Sequence, residues 1–143
     1  MIPDARRRLE DLLDREIELA RALAATLAAE KTALTGTSPQ AVEENAAEKI
    51  RVLEALEMLE RERVALCASP ASPGIAATVV ERWRQLMELM AGCRTANEVN
   101  GRIIHVRQHQ IRQLIDIVRG GPSITYDPQG KTFAKALRAI ARA

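Results

Sequence analysis

The amino-acid sequence predicts an all-α protein: an elongated antiparallel helical bundle or coiled coil of three long helices with an amphipathic C-terminal tail. Three observations predict it. Apolar residues recur at alternating spacings of three and four along three long runs, the mark of helices with one buried face. Clusters of Pro, Gly and Ser separate those runs, and no stretch alternates at period two long enough to make a strand. The apolar content is 47%, yet Trp83, Tyr126 and Phe133 are the only aromatics, so Ala, Leu, Ile, Val and Met supply nearly all of it.

The first helix is expected over about 4–34. Leu9, Leu12, Leu13, Ile17, Ala20, Leu23, Ala24, Leu27 and Leu34 share one face, and Asp4 after Pro3 is placed to cap the start. The segment "TGTSP" ends it. Ser38 then offers a capping hydroxyl, and Pro39 fills the first helical position, where a missing N–H costs nothing. The second helix, 39–67, is expected to bury Val42, Ala46, Ile50, Leu53, Leu56, Leu59 and Val64 before "ASPASPG" stops it.

The third helix is the longest, about 75–119. Val79, Trp83, Leu86, Met90, Cys93, Asn97, Asn100, Ile104, Arg107, Ile111, Leu114 and Val118 form a heptad seam without a slip. Gly92 inside it is a mild cost and no stop. Such a helix is about 67 Å long at 1.5 Å per residue, more than either earlier helix can cover. Part of its apolar surface is therefore expected to be left for something else. "RGGPS" terminates it, with Gly120 or Gly121 as the left-handed cap.

These three helices define a bundle domain, 1–121. Residues 122–143 form a linker and a tail in which Phe133, Leu137 and Ile140 recur at i, i+4 and i+7. A helix of about 12 residues is marginal alone in water, so this one is expected to form by docking, either on a partner or on its own bundle.

Charge is unevenly spread. Segments 4–34, 39–67, 75–119 and 120–143 carry −1, −3, +3 and +3, giving the net +2. That is a weak basic bias beside dedicated nucleic-acid binders, so no nucleic-acid partner is expected. The two cysteines, Cys67 and Cys93, have no metal or disulfide spacing. No apolar run approaches the ~20 residues of a membrane span, and acidic residues interrupt the N-terminal stretch where a signal peptide would be apolar. A cytoplasmic protein without stable membrane insertion is expected.

Catalytic patterns are missing. His105 and His109 share a helix face but lack further ligands, and Arg107 lies between them, so no metal is expected. No phosphate-cradling glycine loop or nucleophile elbow is present. The glutamates of the second helix read as a solvated face. A non-enzyme without cofactors is the expectation.

The polar break in the long seam is the informative feature. Asn97 and Asn100 sit where apolar residues should continue, with Gly101 beside them. Seam asparagines fix register and partner number at some cost in stability, and replacing both by leucine is expected to raise the melting temperature. The run "NEVNGRIIHVRQHQIRQLIDIVRG" and, a few residues on, "TYDPQGK" resemble the flagellar export chaperones of the FlgN family. In that family an Asn-x-x-Asn-Gly element, a basic residue and a Tyr-x-x-x-Gly tail recur in this order. They fall here on Asn97, Asn100, Gly101, Arg107, and Tyr126 with Gly130.

The resemblance implies a type III export chaperone that binds hook–filament junction (hook-associated) proteins and delivers them to the flagellar export gate and ATPase complex. It also implies substrate binding toward the C-terminus, at Phe133, Leu137 and Ile140, and gate docking through Tyr126. A homo-oligomer is compatible with it. The alternative is a structural coiled-coil adaptor or dimerisation module with no chaperone activity.

Overall fold

The structure, a computed structural model, describes residues 2–70 and 72–120, with side chains from Asp4 onward. It contains three helices, α1 (Ile2–Thr35), α2 (Pro39–Ala68) and α3 (Ala77–Val118), and no strand among the described residues. The chain divides into two units, Met1–Glu98 and Val99–Ala143.

Local chemistry explains the boundaries. Helix α1 begins two residues before Asp4, which therefore lies in the first turn and faces the positive end of the helix dipole instead of capping it. Ser38 caps α2: its backbone is extended, and its Oγ accepts from the Ala41 N–H at 3.2 Å with Pro39 inside the first turn. Helix α3 passes through Gly92 and Gly101 without interruption. At its end Gly120 takes a φ of 77°, and its N–H reaches the Ile117 carbonyl at 3.1 Å. That left-handed turn is nearly free for glycine and strained for any other residue.

In the unit Met1–Glu98 the helices run up, down and up. Glu16 meets Arg63 and Glu30 meets Lys49, so α2 runs back along α1. Glu10 accepts from Thr78 and Asp14 pairs with Arg82, so this stretch of α3 runs parallel to α1. Two clusters form the core. Leu9, Leu13, Ile17 and Ala20 pack with Leu86, while Leu23 and Leu27 pack with Val52 and Cys93. At Ala20 the helices lie close enough for the Cys93 thiol to donate to the Ala20 carbonyl at 3.5 Å. Each fully buried leucine contributes about 1.5–3 kcal/mol.

The packing register differs from the expected stripes in a consistent way. Helix α2 turns inward Asn45, Lys49, Val52, Leu56, Leu59, Arg63 and Leu66, and leaves Ile50, Leu53 and Val64 exposed. The cause lies on α1, where Glu16 and Glu30 occupy interior positions between the leucines. A carboxylate buried there demands a cation, and α2 rotates to supply Arg63 and Lys49. On α3 the predicted positions 86, 93, 100, 107 and 114 are buried or half-buried. In the other half of the seam Met90 is half-buried as predicted, with Leu89 beside it, and beyond them the row runs one residue earlier, through 96, 103, 110 and 117. Trp83, Ile104, Ile111 and Val118 are consequently exposed.

Candidate partner-binding surface

Two ionic ties fix the unit Met1–Glu98 and decide what Asn97 does. In the first, Arg63 Nε donates to both oxygens of Glu16, at 3.1 and 3.0 Å, while its guanidinium lies over the Trp83 ring, 4.7 Å from the centroid. In the second, Lys49 Nζ donates to both oxygens of Glu30, at 3.2 and 3.1 Å, and to Asn97 Oδ1 at 2.8 Å. Each tie joins an acid of α1, a base of α2 and a residue of α3. They repeat two heptads apart on every helix: 16 and 30, 63 and 49, 83 and 97. Asn97 is thus the α3 end of a three-helix polar layer.

These groups are in a demanding environment. Glu16 is 2% exposed. Burial pushes its carboxyl above the ordinary range, Arg63 offsets part of that by charge and hydrogen bonding, and Glu60 adds to the rise. Beside the second tie, Asn45 Nδ2 donates to the Thr26 carbonyl at 3.0 Å. Burial also raises the Cys93 thiol, which is no reactive group here.

Beyond Glu98, α3 presents a different surface. One row is covered: Asn100 and Ile117 are buried, and Ile103, Arg107, Gln110 and Leu114 half-buried. Beside it runs an exposed apolar stripe made of Ile104, Ile111, Ile115 and Val118. Ile111 keeps 52% and Val118 74% of its surface in water, against 4% for Ile117. The far side carries Arg102, His105, His109, Arg112, Asp116 and Arg119, all exposed. An apolar stripe that a folded helix leaves in water is a surface available to another protein.

The structure separates the residues singled out from the sequence. Asn97 is exposed and bonded to Lys49, Asn100 is buried, Arg107 is half-buried, and Gly101 is exposed. A Cβ at Gly101 would meet nothing within 4 Å, so no close helix crossing requires glycine there. Tyr126, Phe133, Leu137 and Ile140 lie outside the described residues, as does the linker of 122–131. Among the described residues no group of three or more His, Cys, Asp or Glu could hold a metal ion. None of the described helices is long and apolar enough to cross a membrane.

A family model described as FlgN protein matches residues 1–133. The chain belongs to the FlgN family. The FlgN match takes in all three helices, the Asn97–Gly101 element, the exposed α3 stripe and Tyr126. It ends at Phe133, ahead of Leu137 and Ile140. No curated protein and no solved structure matches the chain.

Sequence reasoning missed the two ionic ties and Ile115. The signal for the ties was present: Glu16 and Glu30 fill heptad positions among the α1 leucines, and Lys49 and Arg63 stand the same two heptads apart on α2. Acids buried at one helix's interior positions and bases at matching positions of the next predict that pairing. Ile115 falls outside the predicted seam, and only the register of burial on α3 brings it into line with Ile104, Ile111 and Val118.

Proposed function

We propose that this chain is a cytoplasmic chaperone that holds flagellar hook–filament junction proteins and delivers them to the type III export apparatus. The observation that carries the proposal is the apolar stripe of Ile104, Ile111, Ile115 and Val118, left in water on a helix of a FlgN-family chain. A holding chaperone needs such a surface, because it works by covering the apolar face of a client before assembly. It needs no catalytic group.

Three tail residues, Phe133, Leu137 and Ile140, extend the apolar surface on this proposal, with 122–131 as a linker. Tyr126 serves delivery at the export gate and contributes little to client affinity. Asn97, Asn100, Gly101 and Arg107 mark the passage along α3 from the tied bundle to the client-holding stretch.

The test is calorimetric titration of the full chain with a purified junction protein, alongside thermal melts. Leu137→Ser with Ile140→Ser removes apolar faces worth about 1.5–3 kcal/mol each when fully buried, and so weakens binding by about 100-fold. Tyr126→Ala keeps client binding and reduces motility. If the full chain binds no junction protein while remaining folded, the chaperone proposal is wrong. If the Leu137/Ile140 variant binds normally, the tail is not the holding surface.

A further inference from the structure

The exposed stripe of α3 is bordered by a charge pattern that specifies what it takes. We propose that it seats one acidic-edged amphipathic helix of about four turns, apolar face along Ile104, Ile111, Ile115 and Val118, acidic edge along Arg112 and Arg119. This rests on the chaperone reading and names the chemistry of the segment held.

Geometry sets the kind of occupant. At 100° per residue the four apolar side chains fall within an arc of about 60°, and from 104 to 118 they extend about 21 Å. That is the footprint of one packed helix, whose contacts follow ridges of i, i+4 and i+7. An interfacial helix lying in lipid immerses a much wider apolar face. Here the rest of the apolar side, Ile103, Leu114 and Ile117, is already half-buried or buried.

Charge sets its sequence. Arg112 and Arg119 follow the stripe along one edge with His105 beside them, and Asp116 is the one acid between Val99 and Gly120. Neither arginine meets a carboxylate of the described chain. By contrast Arg51, Arg61, Arg82 and Arg84 each pair with an acid of this protein. Guanidiniums that meet no carboxylate among the described residues and flank an apolar seat favour glutamate and aspartate on the incoming helix, through steering and partly desolvated pairs. A second copy of the same surface would bring two basic faces together, which costs affinity.

The probes are two designed peptides of about sixteen residues with one leucine face, differing only in a glutamate or a lysine edge. Titrated into the full chain at low salt, the glutamate-edged peptide is expected to bind at least about 10-fold more tightly, with the advantage shrinking at high salt. Arg112→Glu with Arg119→Glu should reverse the preference at unchanged melting temperature, and Ile111→Ser with Ile115→Ser should weaken both peptides. Equal affinity for the two peptides, or an unchanged preference in the charge-reversed variant, overturns the inference. So does binding of phosphatidylglycerol vesicles in place of either peptide, or a concentration-dependent mass that the Ile111/Ile115 variant abolishes. A junction protein lost by the Ile111/Ile115 variant but kept by the charge-reversed one leaves the chaperone reading standing and removes the acidic edge. A junction protein kept by both removes the stripe from that reading as well.

Discussion

Along Ala77–Glu98, α3 puts Leu86 and Cys93 into cores shared with α1 and sets Trp83 and Asn97 against the cations of α2. Along 99–118 it keeps the same heptad rhythm, but five aliphatic side chains, the four of the stripe and Val106, stand in water there, and three arginines, Arg102, Arg112 and Arg119, are exposed along it and just past its end. The two stretches differ in charge balance, three acids in the first against Asp116 alone in the second, and in what has been satisfied. In the first, Leu86 and Cys93 are buried and Arg82 and Arg84 are paired with acids, while Val80, Trp83 and Met87 stay exposed. In the second, an apolar stripe and its basic edge remain. On the proposed function, stability and recognition are separated along one helix, so substitutions in the two stretches should have separable effects.

The largest expected effect is in the first stretch. Arg63→Met leaves Glu16 buried without its cation and takes the guanidinium off Trp83. Breaking a buried pair from one side costs about 3–5 kcal/mol, measurable as a lower urea midpoint. Arg112→Met, with no carboxylate partner to lose among the described residues, should shift stability by less than about 0.5 kcal/mol. If the two substitutions destabilise equally, the contrast between the stretches is broken.

Next comes the asparagine pair. Replacing Asn97 and Asn100 by leucine adds apolar area, and the seam pattern taken alone expects stabilisation. Asn97 accepts from Lys49, however, and Asn100 is buried. Removing an acceptor from a charged donor and a buried amide from its site should cost about 1–3 kcal/mol. A thermal melt of the double variant decides it: a higher midpoint would restore the pure seam view.

A smaller effect is set by pH. The Glu16 carboxyl is raised above its ordinary 4.5, chiefly by burial. The folded chain therefore holds that proton more tightly than the unfolded one. Its contribution to stability is fully present below 4.5 and is lost as pH rises through the raised value. Measured against Glu16→Gln, the parent should gain relative stability as pH falls from neutral toward 5. A parent that loses ground over that window would place the Arg63 attraction above the cost of burial.

The smallest effect sharpens the comparison at the glycines. A Cβ at Gly92 or at Gly101 meets nothing within 4 Å, so each change to alanine should stabilise its helix by about 0.5–1 kcal/mol. Equal gains at the two sites would mean that both stretches of α3 tolerate stiffening. A gain at Gly92 coupled to lost client binding at Gly101 would tie backbone freedom to the second stretch.

Much of this protein was legible in its residues. The order and ends of the three described helices followed from periodicity and from breakers whose physics is local: Ser38 with Pro39 capping α2, Gly120 closing α3. The Asn97, Asn100, Gly101 and Arg107 element pointed to the FlgN family, which the match over 1–133 bears out. Local patterns could not say which of two adjacent rows is buried. On α2 the apolar Ile50 and Leu53 looked inward, and a one-residue rotation puts Lys49 and Val52 there. On α3 the same ambiguity hid the stripe, since 103 and 104, 110 and 111, and 117 and 118 are all compatible with a heptad. Wherever one of those pairs holds two aliphatic residues, as at Ile103 and Ile104 or Ile117 and Val118, composition cannot choose.

By itself the sequence determined the three long helices, their order and their family, because hydrogen-bonded turns, caps and apolar period are settled within a few residues of chain. The tertiary structure decided which face of each helix is spent inside. That choice depends on partners distant in sequence, above all on the buried Glu16 and Glu30 of α1, whose carboxylates draw Arg63 and Lys49 inward and turn Ile50 and Leu53 toward water. A buried charge must be paired where it lies, and this demand outweighs the burial of one more aliphatic side chain.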